Sequence, residues 1–294
     1  MKHAFLIMAH DNWKILARLI KKLDHIDNDI YLHIDEKAII EDAKKELQDI
    51  CRFSKIYYVE KIDASWGGYS LVKCEMRLFN DASKKKYNYY HLLSGIDFPI
   101  KPMQEIHCFF EKNNGFEFVH MCDEEFSEKN AGRHQYYRFF QEKIGRNNHS
   151  IFYQIERILV FIQRIFKVNR DNNFPNMVYV CGSQWCSITH EAVIFLLNSE
   201  ELIEKMFKYT RICDEFFVQT ILINSQFKEK IYGLKKAVDI HEQNLRSVDW
   251  VRGDPYTYKV DDYDELINSN NLFCRKVSDQ TKDYEELITK LEML

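Results

Sequence analysis

The first hundred residues alternate short apolar runs with amphipathic helical patterns, and this alternation constrains the fold more than any other feature. Four runs have the length and composition of buried strands, at residues 4–8, 30–34, 55–59 and 89–94. The stretches between them, at 12–24, 38–49 and 69–82, carry apolar side chains at helical spacing. Short links between such elements predict a mostly parallel sheet with helices on both faces. We therefore expect a single large α/β domain with a Rossmann-like mixed sheet.

The composition is that of a folded chain with few glycines. Any phosphate bound by this chain would have to be held without a glycine-rich loop. Of the 294 residues 46% are apolar and 29% are charged, which permits a substantial core and argues against disorder. Only nine glycines occur, and neither G-x-G-x-x-G nor G-x-x-x-x-G-K-[ST] is present. A dinucleotide fingerprint and a P-loop are thereby excluded. The net charge of −4 gives no overall basic surface, so we expect no nucleic-acid partner.

The cysteines and the first residues of the sequence predict a cytoplasmic protein. The eight cysteines form no C-x-x-C pair and have no histidine at zinc spacing, so we interpret them as reduced thiols. The apolar run near Met1 is about six residues long, too short for a signal-peptide core or a membrane span.

Polar side chains follow each of the four predicted strands. These strand ends lie at residues 9–12, 33–37, 64–68 and 94–99. In open parallel sheets, ligands bind at the carboxyl ends of the strands. Ordinary turns and helix caps also use Asp, Asn, Ser and Gly, so each strand end taken alone fits either interpretation.

Residues 133–170, here called the basic aromatic segment, differ in character from the rest of the chain. The segment holds eight Arg or Lys and two Glu, a local charge of +6, with Tyr and Phe interleaved. Residues 150–168 have a helical pattern in which cations alternate with bulky apolar side chains. This pattern fits a helix lying on a membrane surface, and equally a helix that packs on the domain and presents cations to a substrate.

In the last third of the chain the element predictions are less uniform. Strands are expected at residues 177–181, 230–232 and 272–276. Helices are expected at 190–208, from Asp214 onward and at 281–292.

Seven sequence blocks, taken together, resemble one known family. The chain is similar to glycosyltransferase family 14, the core-2/I-branching β-1,6-N-acetylglucosaminyltransferases and peptide O-xylosyltransferases, and the blocks follow the family's order. They are YLHIDEK at 31–37, ASWGGYSL at 64–71, HLLSGIDFPIK at 91–101, GSQW at 182–185, DEFFVQT at 214–220, LRSVDW at 245–250 and NLFCRK at 271–276. The Trp-Gly-Gly block resembles the xylosyltransferase branch of the family more than the animal core-2 enzymes. Eukaryotic members carry a Golgi anchor and a stem that this sequence lacks, so we expect a bacterial relative.

The resemblance implies a GT-A-like fold, a UDP-sugar donor and inversion at the anomeric carbon. Residues 1–120 would form the nucleotide-sugar-binding half, and 121–294 the acceptor-binding and catalytic half with the basic aromatic segment. Glu215 matches the family's catalytic base, which would deprotonate the acceptor hydroxyl. Taken alone, Glu215 could equally be an acid placed at a helix N-terminus by the helix dipole. Asp214 would cap that helix or touch the acceptor.

By the same resemblance, Arg246 and Lys276 match a basic pair that binds the diphosphate directly, with Arg275 assisting. Two fixed cations can stabilise the leaving diphosphate as a divalent metal does in other enzymes, so we expect no metal and no cofactor. Two literal Asp-x-Asp motifs occur, at 27–29 and 262–264, but neither follows a strand where such a motif acts, and we interpret both as chance.

The remaining site assignments also come from the resemblance. Donor contacts are expected from six residues and acceptor contacts from three residues besides Asp214. The donor set is His10, Asp35, Lys37, Trp66, Gly67 and Asp97, and the acceptor set is Ser183, Gln184 and Trp185. Trp66 would line the donor pocket and Trp185 would form a platform for the acceptor sugar, although either indole could instead be a core residue.

The sequence leaves the substrates open. The first choice of donor is UDP-GlcNAc and the second is UDP-xylose. The acceptor is expected to be a glycan hydroxyl. This glycan would be lipid-linked if the basic aromatic segment binds an anionic membrane. The protein would then lie peripherally on the inner face of the plasma membrane. The alternative is a catalytically inactive carbohydrate-binding or scaffold protein on the same fold.

Overall fold

A computed structural model describes residues 1–236 and 238–294, except for the side chains of Ile40 and Asp42. The strands are β1 (His3–Ala9), β2 (Asn28–Ile34), β3 (Lys55–Tyr58), β4 (Tyr89–Ser94), β5 (Asp97–Pro99), β6 (Ser187–Thr189), β7 (Arg246–Val248) and β8 (Phe273–Arg275). The helices are α1 (Trp13–Leu23), α2 (Ile40–Leu47), α3 (Tyr69–Ser83), α4 (Met103–Lys112), α5 (Glu124–Lys129), α6 (Gln141–Ile144), α7 (Ile151–Ile165), α8 (His190–Asn198), α9 (Glu200–Phe207), α10 (Phe217–Ile223), α11 (Tyr232–Lys235), α12 (Tyr263–Asn268) and α13 (Tyr284–Glu292).

The main sheet has five strands in the order β3-β2-β1-β4-β6. The first four are parallel, and β6 joins the edge antiparallel to β4. Strands β1 and β4 are buried along almost their whole length, as expected for parallel strands that helices cover on both faces. The predicted mixed α/β class, the four N-terminal strands and the three helices between them are confirmed, with boundaries shifted by a few residues at most.

A second sheet of three short strands, β5-β8-β7, lies beyond the carboxyl end of β4. It combines β5 from the first half of the chain with two strands from the last fifty residues, and β6 likewise joins the main sheet from the second half. Elements of both halves therefore build each sheet. The predicted strand at 272–276 is confirmed as β8, whereas β5, β6 and β7, also three residues long, were not predicted.

The main sheet separates two hydrophobic clusters. One contains α3, α8 and α10, and the other contains α1, α4 and α13. Helix α1 shows why the pattern was predictable, since Ile15, Leu16, Leu19, Ile20 and Leu23 recur at helical spacing and all are buried. Within the described residues, no helix has the length and apolarity needed to span a bilayer.

Three local predictions are wrong. Residues 177–181 are not in a strand, because the backbone groups of Val178 and Val180 bond to the side chains of Asn224 and Thr220 at α10 instead of a neighbouring strand. At 230–232 there is a single bridge between Ile231 and Glu117, after which α11 begins. Asp214 and Glu215 do not begin a helix but lie in a 3-10 turn, Cys213–Glu215, before α10.

Candidate active site at the carboxyl edge of the sheet

The loops that follow β1 and β4 meet a late segment of the chain at one edge of the main sheet. Val277 donates its backbone N–H to the carbonyl of Ile96, 3.0 Å away, just after β4. The Oδ1 of Asn12, after β1, accepts from Ser278 and from the backbone of Asp279, each at 3.3 Å. Residues 276–279 therefore cross the carboxyl ends of β1 and β4, where the parallel topology predicts a ligand site.

Buried Asp97 and half-buried Arg275 form an ion pair at this edge. Arg275 Nη1 donates to Asp97 Oδ1 at 2.9 Å, and the other carboxylate oxygen accepts from the backbone N–H of Ser94 at 2.9 Å. Burial raises the pKa of Asp97, and Arg275 opposes that effect. Since both oxygens are occupied by protein donors, Asp97 holds Arg275 in place. The guanidinium also lies 4.6 Å from the centre of the Trp185 ring.

Trp185 is only 8% exposed, and Arg275 covers its ring. A sugar could stack on this indole only if Arg275 moved away. The prediction that Trp185 is an open platform for the acceptor is therefore corrected, because the residue is part of the core beneath the site.

Arg246 lies in the protein interior, 1% exposed. Its guanidinium donates to Ser187 Oγ at 2.9 Å and to the carbonyls of Cys186 at 2.8 Å, Leu92 at 3.3 Å and Asn244. Burial lowers the pKa of Arg246 to about 10, which still leaves it charged at neutral pH. The predicted direct contact of Arg246 with a diphosphate is not supported, because the group is enclosed and already bonded. It instead ties the end of β4 to β6 and β7.

Lys276 follows the ion pair and is half-buried. Among the described residues, no hydrogen bond or ion pair of its ammonium is found, whereas its backbone carbonyl accepts from Tyr258 at 2.9 Å. Of the predicted diphosphate ligands, Lys276 and Arg275 thus lie at the edge, and Arg246 lies behind it.

Asp35 and Lys37 organise the loop after β2. Asp35 is buried, and its two carboxylate oxygens accept backbone N–H groups of Lys37 at 2.8 Å and Ala64 at 3.2 Å. Lys37 donates to the Ala64 carbonyl at 3.1 Å and pairs with Asp63. Lys37 therefore joins the loop after β2 to the loop after β3. His10, at the end of β1, is exposed and lies 3.6 Å from Asp11.

Trp66 and Gly67 lie in the loop after β3, against the turn that carries Glu215. The Gly67 carbonyl accepts the backbone N–H of Ile212 at 2.7 Å, and Gly67 has φ +68°, a conformation that favours glycine. Trp66 is 38% exposed, with the Arg146 guanidinium 5.7 Å from its ring centre. At the neighbouring Gly68 a Cβ would lie 2.5 Å from the Glu142 carboxylate, so a larger residue there would require the Glu142 side chain to shift.

Glu215 is paired with Arg133, a residue that the sequence analysis did not assign to the site. Arg133 Nη1 donates to Glu215 Oε2 at 2.8 Å, and about a third of the Glu215 side chain, 36%, remains exposed. Desolvation raises the pKa of Glu215, while the charge and hydrogen bond of Arg133 act in the opposite direction. The carboxylate is thus available to a ligand and more basic than an ordinary glutamate.

Two further carboxyl groups lie behind Glu215. Asp214 is 6% exposed, and burial together with the charge of Glu215 raises its pKa. Glu75, on α3, is fully buried, and its pKa is raised well above the usual value by burial first and Asp214 second. Gln184 Nε2 donates to Glu75 Oε1 at 2.8 Å. Glu75 and Asp214 therefore favour the neutral acid, which leaves Glu215 as the anionic member of the group.

The block at 182–185 is held directly against this turn. Gly182 donates its backbone N–H to the Glu215 carbonyl at 2.8 Å, and a Cβ at position 182 would lie 1.9 Å from the His120 carbonyl. The Ser183 backbone N–H donates to His120 Nδ1 at 3.1 Å. Of the four predicted acceptor residues, Ser183 and Gln184 thus follow the contact between Gly182 and Glu215, and Asp214, next to the base, is buried.

The sequence of α3 contains a signal for Glu75, which was not among the predicted site residues. Val72, Glu75, Phe79 and Ala82 recur at helical spacing, and all four are buried on one face of α3. A carboxyl group on an apolar helix face indicates either a partner or a perturbed pKa. Arg133 gave no comparable signal, since it was one of eight cations in the basic aromatic segment.

Neither Asp-x-Asp motif lies at this edge. Asp29 accepts from the Tyr87 hydroxyl at 2.6 Å, and Asp262 pairs with Arg252 at 2.6 Å, so both have structural partners. Within the described chain, the group with ligand atoms close enough for a metal is His25, Asp27 and His107, all within 4.8 Å. Two of these residues precede β2, at the amino edge of the sheet and away from Asp97.

The chain as a whole is similar to known glycosyltransferases. The family model described as "Core-2/I-Branching enzyme" matches residues 3–269. A xylosyltransferase of Ciona intestinalis is 22% identical over 286 residues, which cover 92% of this chain and 31% of the relative. The "Xylosyltransferase oxt" of Drosophila pseudoobscura pseudoobscura is 25% identical over 279 residues, which cover 88% of this chain and 29% of the relative. This chain thus spans about a third of the length of these relatives.

Among solved structures, apo mouse xyloside xylosyltransferase 1 is matched at a TM-score of 0.40 and 11% identity, over 93% of this chain and 96% of that one. The mixed α/β class expected from the sequence agrees with the main sheet. The family model covers the main sheet, strands β5 and β7 of the second sheet and the turn that carries Glu215, and it ends before β8. On that match, the chain belongs to the Core-2/I-branching enzyme family.

Proposed function

We propose that this glycosyltransferase transfers a sugar, with inversion, from a UDP-sugar to a hydroxyl of a glycan acceptor, and that Glu215 is its general base. The observation that carries the proposal is the state of Glu215, an accessible carboxylate whose position is fixed by Arg133 at 2.8 Å. Inversion in one step needs a single base on the side of the sugar opposite the leaving group. The neutral acids Asp214 and Glu75 behind Glu215 leave it as the group that takes the proton.

In the proposed reaction the acceptor oxygen forms a bond to the anomeric carbon as the bond from that carbon to the UDP oxygen breaks. The hydroxyl proton passes to Glu215, and the bonding electron pair leaves with UDP. Charge then accumulates on the diphosphate and must be stabilised.

We propose that Arg275 and Lys276 stabilise the leaving diphosphate and that no metal is required. Support comes from Asp97, the acid that follows β4 at this edge of the sheet. Its oxygens accept from Arg275 and Ser94, so a protein cation already occupies the place beside this carboxylate. A guanidinium offers a two-pronged donor to phosphate, and an ammonium a compact charge. Arg246, enclosed behind them, would position β4 and β6.

The substrates proposed are those that the family and the relatives suggest. UDP-GlcNAc is the first donor to test because of the resemblance to branching enzymes, and UDP-xylose the second because the matched relatives are named xylosyltransferases. For the acceptor we propose a glycan hydroxyl, and a lipid-linked glycan as the form suited to the basic aromatic segment.

The donor test is UDP release from a panel of UDP-sugars, with an acceptor mixture, in the presence of EDTA. We expect release with one preferred donor and a rate unchanged within about twofold by EDTA or added Mn²⁺, since fixed cations replace the metal. A strict Mn²⁺ requirement would contradict metal independence. If UDP does not bind at all, the inactive carbohydrate-binding or scaffold function becomes the better explanation.

Replacing Arg133 by glutamine should move the acidic limb of the pH profile of kcat/KM to higher pH. The guanidinium lowers the pKa of Glu215 against the raising effect of burial, so its removal raises that pKa further. The base acts as the carboxylate, and activity is therefore lost earlier as pH falls. A shift of roughly one pH unit or more is expected for loss of a contacting cation. The control is Arg52→Gln, an exposed arginine after α2, and an unshifted limb in Arg133→Gln would exclude this role for Arg133.

A further inference from the structure

We propose that the outer face of α7 docks this protein onto an anionic lipid surface. This inference concerns a surface outside the candidate active site and does not depend on the proposed reaction. Three observations support it, namely the apolar character of the exposed face, its flanking arginines and the length of the helix.

The solvent-facing side of α7 is apolar where a surface helix is usually polar. Its inward side buries Glu156 and Val160. The outward side and the residue after the helix expose seven large apolar side chains, with Phe161 at 63% and Phe166 at 76%. The seven are Ile151, Ile155, Ile158, Phe161, Ile162, Ile165 and Phe166. At spacings of three and four residues the isoleucines form one continuous stripe, and such a patch marks an interaction site.

Arginines flank the stripe on one side. Arg157 and Arg164 are exposed on α7 and, together with Arg138, Val160 and Phe161, line a cavity of about 270 Å³. Among the described residues, neither Arg157 nor Arg164 forms an ion pair, and no acidic side chain lines this cavity. Lys167 adds an exposed cation just beyond the helix. The site therefore offers guanidinium groups to phosphate beside a surface suited to acyl chains.

The length of α7 and the type of its side chains favour a lipid surface over other occupants. The helix has 15 residues, fewer than the roughly 20 that span a bilayer, so it would lie in the interface plane. In a symmetric dimer formed through this stripe, the same arginines of the two copies would approach each other. Their charge repulsion disfavours such a dimer. Single-stranded nucleic acid would need aromatic stacking platforms along the surface, whereas this stripe is mainly isoleucine.

The test is flotation of the full chain with vesicles of phosphatidylcholine alone and of phosphatidylcholine with phosphatidylglycerol. Binding is expected only to the anionic vesicles. Arg157→Gln with Arg164→Gln should weaken it about 30-fold, since each basic residue near an anionic surface contributes roughly a factor of five. Ile158→Asn with Ile162→Asn and Ile165→Asn should weaken it at least about 100-fold through loss of apolar insertion.

Matched controls carry the same changes elsewhere on the surface. Lys44→Gln with Lys45→Gln removes two exposed cations of α2, and Ile26→Asn with Ile39→Asn and Phe53→Asn removes three exposed apolar groups. Both controls should bind as the unaltered chain does. Far-UV circular dichroism and the melting temperature show whether each variant is folded.

Three results would overturn the proposal. The first is absence of binding to anionic vesicles by the folded, unaltered chain. The second is equal loss of binding in the α7 and control variants, which would indicate general charge attraction. The third is a stable dimer in light scattering that only the isoleucine substitutions dissociate, which would identify a second copy as the occupant.

Discussion

Glu215→Gln should lower kcat by about 10²–10⁴-fold, the range that a positioned general base contributes. Glutamine keeps the size and hydrogen-bonding shape of the side chain but cannot take a proton from the acceptor. Binding of UDP should persist, because the proposed diphosphate cations belong to a separate segment at 275–276. Stopped-time measurement of UDP release and calorimetric titration with UDP separate the two effects.

Asp214→Asn is the matched control for this substitution, since it neutralises the adjacent carboxyl group. Burial and the charge of Glu215 raise the pKa of Asp214, so its protonated form, which asparagine resembles, is favoured. We expect a loss of less than about tenfold. Equal losses for the two variants would contradict the assignment of Glu215 as the sole base, and unchanged turnover in Glu215→Gln would exclude the mechanism.

Arg246→Met should lower the free energy of unfolding by at least about 3 kcal/mol. The guanidinium donates to three carbonyls and the Ser187 hydroxyl, and each buried acceptor left unpaired costs about 1–3 kcal/mol. Methionine fills part of the space but supplies no donor. Urea denaturation measures this loss, and the midpoint should fall without a large change in slope.

Lys276→Met provides the contrast that distinguishes a structural from a ligand-binding cation. Its ammonium is at the edge of the site, so the free energy of unfolding should change by no more than about 0.5 kcal/mol. The KM for the donor should instead rise. If Arg246→Met proved as stable as the unaltered chain and lost only donor affinity, Arg246 would contact the diphosphate after all.

Local patterns were sufficient for the parallel part of the fold. Strands β1–β4 and helices α1–α3 carry apolar residues at periods of two or 3.6, or in buried runs, and these periods depend only on neighbouring residues. The prediction of a strand failed at residues 177–181, where the backbone of Val178 and Val180 bonds to the side chains of Asn224 and Thr220, some forty residues later. Nothing within that segment distinguishes these partners from a neighbouring strand.

For the candidate site, too, the sequence predicted some features and the tertiary structure decided others. The family blocks, read from the sequence alone, determined that Glu215, Asp97, Arg275 and Lys276 are candidates for one site. Only the tertiary structure decided that Arg133 pairs with Glu215 across 82 residues of sequence, that Arg275 covers Trp185 and that Arg246 is enclosed. The physical reason is that the surroundings of a long charged side chain depend on which distant segments approach it. Carbonyls of residues 92, 186 and 244 meet Arg246 only once both sheets have formed.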